Sequence, residues 1–200
     1  MGALIKEIDG IWFGVVYEGE KVLASNFGLS KDEVLKSFQR MFPSKVLPLV
    51  AEPSAFAQKL VSSLKNIYDG KGSACDAALS IERFPPYTQR VLRVVARIPV
   101  GYVASYGGVS DAVGGGARAV GNAMATNCFA PLVPCHRVVT ASLGLGGYGG
   151  GLRTKYEFLK REKRGFKEEK QISLEGGVLR VFPVEFVLRK FEKAATQKKL

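Results

Sequence analysis

A cysteine stands beside the chain's sole histidine inside Val133-Pro134-Cys135-His136-Arg137-Val138-Val139. A thiol attacks as the thiolate, so Cys135 needs a base or a positive charge close by, and the base needs a carboxylate to orient it. The apolar flanks read as a short strand, on which neighbouring side chains point to opposite faces. His136 would then reach Cys135 through a bridging water or a bend in the backbone. A buried cysteine next to a satisfied core histidine is the plainer reading of such a pair. Its place between two short helices and a glycine-rich loop favours chemistry. Cys75 and Cys128 complete the three cysteines and read as structural. Their odd number and the absence of a CxxC spacing speak against a disulfide framework and for a reducing compartment. One histidine is too few for an ordinary zinc site, and no metal is expected.

Elements on both sides must position this pair. After Pro85-Pro86, Thr88 can cap a helix that runs through Arg97 and ends before Pro99-Val-Gly. Ser105 starts a short helix towards Val113, Gly114-Gly115-Gly116 turns the chain, and Ala117 to Thr126 reads as another helix. Two short helices joined by a glycine turn have the form of a helix-turn-helix, although helical cores use the same device. Small residues on the second helix (Ala117, Ala119, Gly121, Ala123, Ala125) allow close approach to a packed neighbour or to a DNA groove. Beyond the cysteine, Gly144 to Gly151 holds six glycines in eight residues and can wrap a ligand or serve as a mobile connection. A charged helix is expected from about Thr154 to Lys163. A hairpin follows over Ile172 to Phe182 around Glu175-Gly176-Gly177, then a basic helix and a frayed tail from Lys193 to Leu200.

The first part of the chain carries no catalytic pattern. Ile11 to Tyr17 and Lys21 to Ser25 form a hairpin around Glu18-Gly-Glu. Ser30 with Glu33 makes a capping box for a helix to about Met41. A second helix spans Ala55 to Tyr68, with Gly70 just past its end. Residues 1–80 hold nine basic and nine acidic side chains, whereas residues 81–200 hold 20 and 9 and therefore the whole net charge of +11. Such asymmetry fits a second part that meets a polyanion, or else a solvated basic surface. Every long apolar run is broken by charge, so no membrane span is expected. Glu7 and Asp9 interrupt any signal-peptide core, which makes a cytoplasmic protein the expectation.

The motifs Ile98-Pro99-Val100-Gly101, Ser105-Tyr106-Gly107, Arg118-Ala119-Val120-Gly121-Asn122-Ala123, Pro134-Cys135-His136-Arg137-Val138 and Gly147-Tyr148-Gly149-Gly150-Gly151-Leu152 occur in order over residues 80 to 163. In them the sequence resembles the O6-alkylguanine-DNA alkyltransferases, or methylated-DNA–protein-cysteine methyltransferases. The resemblance implies an α+β fold: a small N-terminal α/β domain (RNase H-like) over 1–80, and a mostly helical domain with a winged helix-turn-helix over 81–165. A basic extension over 166–200 follows. It also implies single-turnover, direct-reversal repair by a monomer without a cofactor, acting on double-stranded DNA that contains O6-alkylguanine, through the minor groove.

Carried over residue by residue, the resemblance makes Cys135 the alkyl acceptor and His136 the group that draws its proton away through water. Glu162 would orient His136, and Asn127 would tie the recognition helix to the active-site segment. Tyr106 would help rotate the nucleotide and protonate guanine N3. Arg118 would enter the base stack, with Ala117, Gly121, Thr88 and Ser105 along the DNA. Met124, Val138, Tyr148 and Gly149 would border the base pocket, where main-chain groups of Cys135 and Val138 read the guanine edge. Three departures stand out. Cys128 follows Asn127 where the family usually has proline, and Gly149 stands where many members carry serine. The segment after about 165 runs past the usual family end; it can pack on the core, add nonspecific DNA affinity, or do neither. Two other readings compete. A non-enzymatic protein that marks alkylated bases would not need Cys135, and a cysteine hydrolase would not explain the Arg118 helix.

Overall fold

The computed structural model describes residues 1–72 and 77–197, and the fold is α+β. Cys75 lies outside the described residues. Two compact units are formed: Met1–Tyr68, Gly72–Arg83 and Cys128–Val133 make the first, and Asp69–Lys71, Phe84–Asn127 and Pro134–Leu200 the second.

In the first unit β1 (Gly2–Ile8), β2 (Ile11–Glu18) and β3 (Lys21–Gly28) form an antiparallel meander, and the short β4 (Ala78–Leu79) joins β3 in parallel. The expected hairpin is thus preceded by a further strand. Its signal is Asp9-Gly10, both at positive φ (52° and 76°), a two-residue turn whose twist suits a tight hairpin. Helices α1 (Lys31–Met41) and α2 (Ala55–Tyr68) lie against the meander. The Ser30 hydroxyl accepts from the Glu33 amide at 3.1 Å. The Glu33 carboxylate accepts from Leu29 N at 2.8 Å rather than from Ser30. Phe13, Val15, Val22, Val34, Phe38 and Leu64 are fully buried between these layers. Gly14 lets α1 come this close, because a Cβ there would stand 2.5 Å from Val34 and 2.7 Å from Phe38.

The second unit joins helices to a four-stranded sheet. Its helices are α3 (Pro86–Ala96), α4 (Tyr106–Val113), α5 (Ala117–Ala125), α6 (Leu152–Arg161) and α7 (Val184–Gln197). Its strands are β5 (Tyr102–Ser105), β6 (Val138–Val139), β7 (Lys170–Leu174) and β8 (Gly177–Pro183), in the order β6-β5-β8-β7. β5 is parallel to β6 and antiparallel to β8.

Three expectations are corrected. Thr88 does not cap α3: Pro85 occupies the cap and Pro86 the first turn, where a missing N–H leaves nothing unpaired and the fixed φ suits a helix. Thr88 is buried two residues further in, at the third helical position. The segment around Cys135 is not a strand, because Cys135–Arg137 form a 3-10 turn closed by Arg137 N donating to Pro134 O at 2.8 Å. Only Val138–Val139 pair in the sheet. The tail expected to fray from Lys193 is helical through Gln197, and 198–200 lie outside the described residues.

Candidate active site

The 3-10 turn puts Cys135 and His136 on the same bend at the head of β6. Cys135 is half-buried. Burial pushes its thiol up. The Asn127 side chain, which hydrogen-bonds it, works the other way, as do the Lys155 ammonium and the backbone N–H groups of Cys135 and His136. Asn127 stands two residues past the end of α5 and so ties that helix to the thiol.

His136 is fully buried, its ring stacked on Phe158 with centroids 4.5 Å apart. Its Nε2 lies 2.9 Å from Glu162 Oε1. Glu162 ends α6 and is also fully buried. Arg137 grips the same carboxylate: Nε lies 3.1 and 3.0 Å from its two oxygens and Nη2 2.7 Å from Oε1, while Nη1 donates to the Ile98 carbonyl at 2.7 Å. Burial alone would raise Glu162, yet His136 and Arg137 hold its carboxyl down to about 2. A carboxylate so held can only accept. The hydrogen between the two residues therefore belongs to Nε2, and the lone pair of the neutral imidazole lies on Nδ1. Nδ1 is buried and has no hydrogen-bond partner among the described residues. Burial lowers the histidine's basicity against the pull of Glu162, so the ring is a neutral base.

Three more side chains feel the charge of the Cys135 sulfur: Tyr106, Tyr148 and Lys155. Tyr106 opens α4, directly after Ser105, whose hydroxyl caps the helix through Gly108 N at 2.9 Å. The Tyr106 hydroxyl donates to Gly147 O at 3.4 Å. Burial and then the sulfur raise both tyrosines, Tyr148 well above the usual phenol range, which keeps them protonated donors. Lys155 was not singled out from the sequence. It is fully buried and donates to the carbonyls of Val138 at 2.6 Å and Gly147 at 3.1 Å. Burial depresses it to about 8. Its signal lies in spacing: Lys155, Phe158, Leu159 and Glu162 fall on one helical face, all buried, so two charged residues share a stripe with the apolar ones.

The structure therefore brings Cys135, His136, Glu162, Asn127, Tyr106 and Tyr148 together and adds Arg137 and Lys155. Val138 closes the turn through its N–H on Cys135 O, and its carbonyl accepts from Lys155. Gly149 is exposed, and a Cβ there would meet no atom within 4 Å. Arg118 and Ala117 are exposed at the start of α5, Gly121 and Met124 are partly exposed along it, and Thr88 is buried in α3. The α4–α5 turn uses its glycines: Gly114 and Gly115 have φ of 82° and 86°, and a Cβ on Gly115 would sit 3.0 Å from the Tyr87 ring. Among the described residues no cluster of three or more His, Cys, Asp or Glu could hold a metal ion. No helix among them is long and apolar enough to cross a membrane.

Residues 86–164 match the family model described as 6-O-methylguanine DNA methyltransferase, DNA binding domain. A methylated-DNA–protein-cysteine methyltransferase of Mycobacterium tuberculosis is 41% identical over 114 residues, which is 56% of this chain and 68% of that protein. The crystal structure of O6-methylguanine-DNA methyltransferase from the hyperthermophilic archaeon Pyrococcus kodakaraensis is similar with a TM-score of 0.67 at 25% identity, over 80% of this chain and 98% of that one. The crystal structure of Mycobacterium tuberculosis OGT in complex with DNA gives 0.66 at 30% identity, over 82% and 93%.

Proposed function

Because this chain belongs to the methylated-DNA–protein-cysteine methyltransferases, we propose that it repairs O6-alkylguanine in double-stranded DNA by moving the alkyl group onto Cys135, once per molecule. The observation that carries the assignment to Cys135 is the chain of contacts from Asn127 through the thiol's turn to His136, Glu162 and Arg137.

In this reading Glu162, held ionised, fixes the imidazole with Nδ1 as the basic atom, and His136 draws the thiol proton away through water. Sulfur attacks the alkyl carbon, the bond from that carbon to O6 breaks, and the electron pair goes to the guanine. Tyr106, kept protonated by its surroundings, supplies a proton at N3. The new thioether is stable, so the thiol is not regenerated and no cofactor takes part.

The target atom is inside the duplex, and flipping the nucleotide out costs roughly a few kcal/mol. Arg118, exposed at the start of the small-residue helix α5, fills the gap in the stack from the minor groove. Ala117, Gly121 and Ser105 border the DNA. Met124, Val138, Tyr148 and Gly149 line the base pocket. With no side chain at Gly149, any contact with O6 from that position comes from the main chain. This reading includes an RNase H-like domain over 1–80, a winged helix-turn-helix within 81–165, an extension over 166–200, and action as a monomer.

Stoichiometry tests it. With an excess of duplex carrying O6-methylguanine, repaired guanine should plateau at one equivalent of protein, and Cys135→Ser should repair none. Repair that continues past one equivalent would refute the mechanism.

A further inference from the structure

The last part of the chain lies past the end of the matched family model at residue 164, yet it is built into the site. From Glu162 the chain runs on through residues 163–166 without regular structure, and this stretch is held from two sides. The Glu185 carboxylate, in the first turn of α7 and 7% exposed, accepts three successive backbone N–H groups: Arg164 at 3.0 Å, Gly165 at 2.5 Å and Phe166 at 3.2 Å. The Arg164 guanidinium closes the other side, donating to the carbonyls of Arg161 at 3.2 Å, Lys163 at 3.0 Å and Gly70. The same corner grips β5. Val184 N donates to Gly101 O at 2.9 Å, and Phe166 stacks on Tyr102 with centroids 4.9 Å apart. Gly101, at φ 83°, makes room, since a Cβ there would come within 2.8 Å of the Phe166 ring.

A second path leads to the same place. β8 pairs with β5, and β5 pairs with β6, the strand on which the Cys135 turn ends. Val184, Val187 and Leu188 of α7 share a buried cluster with Val103, Val139, Leu145 and Leu159. The segment thus braces both halves of the relay, the carboxylate at the end of α6 and the thiol at the head of β6. A free carboxylate on an exposed helix would do neither.

We propose that Glu185 is a positioning residue for alkyl transfer: by fixing residues 164–166 it sets where Glu162 meets His136. This rests on the alkyl-transfer reading above. The role differs from a DNA-binding tail, which would act on duplex affinity, and from a purely stabilising strut, which would act on the fraction of active protein.

The experiment is single-turnover alkylation of the full chain at saturating O6-methylguanine duplex, with rate constant, amplitude and duplex Kd measured separately. Glu185→Ala should lower the rate constant roughly 10- to 100-fold, the scale of a displacement of about 1 Å at a reacting group. Kd should change less than about twofold, because no contact to DNA is removed. Glu185→Gln keeps an acceptor oxygen and should recover most of the lost rate. Glu185→Asp is one methylene short of the three amides and should fall between, which keeps the test alive should Glu185→Ala not fold. Wild-type rate constants in Glu185→Asp and Glu185→Ala, with only amplitude or Kd altered, would overturn the proposal and leave the alkyl-transfer reading intact. A wild-type protein that takes up no alkyl group would instead overturn that reading, and this inference with it.

Discussion

Glu162→Gln is the perturbation whose consequences the structure specifies most fully. The side chain keeps its shape and loses its charge. In the native site the carboxylate receives His136 Nε2 at 2.9 Å and Arg137 Nη2 at 2.7 Å, with Arg137 Nε near both oxygens. Without it, a buried guanidinium is left with the Ile98 carbonyl and a neutral amide. Removing one partner of a buried ion pair costs about 3–5 kcal/mol. The amide oxygen still accepts one bond, so the lower end applies, about 3 kcal/mol, or a Tm fall of roughly 6–12 °C at about 2–4 °C per kcal/mol. Acid should act the same way. A carboxyl at about 2 in the folded chain, against 4.5 ordinarily, gives stability that is complete above pH 4.5 and lost as pH falls towards 2. The substituted protein should lack that slope. The assay is thermal and urea unfolding between pH 3 and pH 7, with single-turnover alkylation alongside. Transfer should fall too, since an amide can offer its N–H to Nε2 and so move the ring's hydrogen to Nδ1. The double variant Arg137→Met with Glu162→Leu should be more stable than Glu162→Leu alone, because no unpaired charge stays behind. Wild-type stability of Glu162→Gln at pH 7, or a double variant no better than the single, would refute the reasoning.

Two further outcomes follow from the site. Arg118→Ala should weaken repair of O6-methylguanine in duplex DNA more than reaction with free O6-benzylguanine, and equal losses on both substrates would refute a role in the stack. Lys155→Met removes the buried ammonium that counters the rise of the thiol and the bonds to Val138 and Gly147. Iodoacetamide should therefore modify Cys135 more slowly at pH 7, roughly tenfold for each pH unit of thiol shift, and an unchanged rate would show that Lys155 only packs.

Features with local causes were legible in the sequence. The Ser30 and Ser105 caps, the apolar face of Ala55–Tyr68 and the Glu175-Gly176-Gly177 hairpin each follow from a few neighbouring residues, and all stand where expected. Thr88 misled because a capping residue type is common inside helices too, and Pro85-Pro86 had a better claim to the start. Cys135 was legible as a candidate nucleophile from its neighbour, but not its bend. Apolar residues on both sides read as a strand, and the backbone bonds from Arg137 to Pro134 and from Val138 to Cys135 turn them. Lys155 and Glu185 were missed for a shared reason. Each sits in a helix rich in charge, where a solvated side chain is the default. Their burial comes from distant partners: the carbonyls of Val138 and Gly147 for Lys155, and the amides of residues 164–166 for Glu185. The periodicity of α6 held a warning, since Lys155 and Glu162 keep step with Phe158 and Leu159. Glu162 itself was placed through the family resemblance, not through any local property of the helix.

Intact-protein and peptide mass spectrometry after incubation with a duplex containing O6-methylguanine would follow the transfer itself. Transfer to Cys135 predicts a gain of one methylene per molecule, carried by the peptide with Cys135 and absent from the one with the buried Cys128, and no gain in Cys135→Ser. A duplex that is bound while the protein's mass stays unchanged, or a methyl group found on another residue, would contradict it.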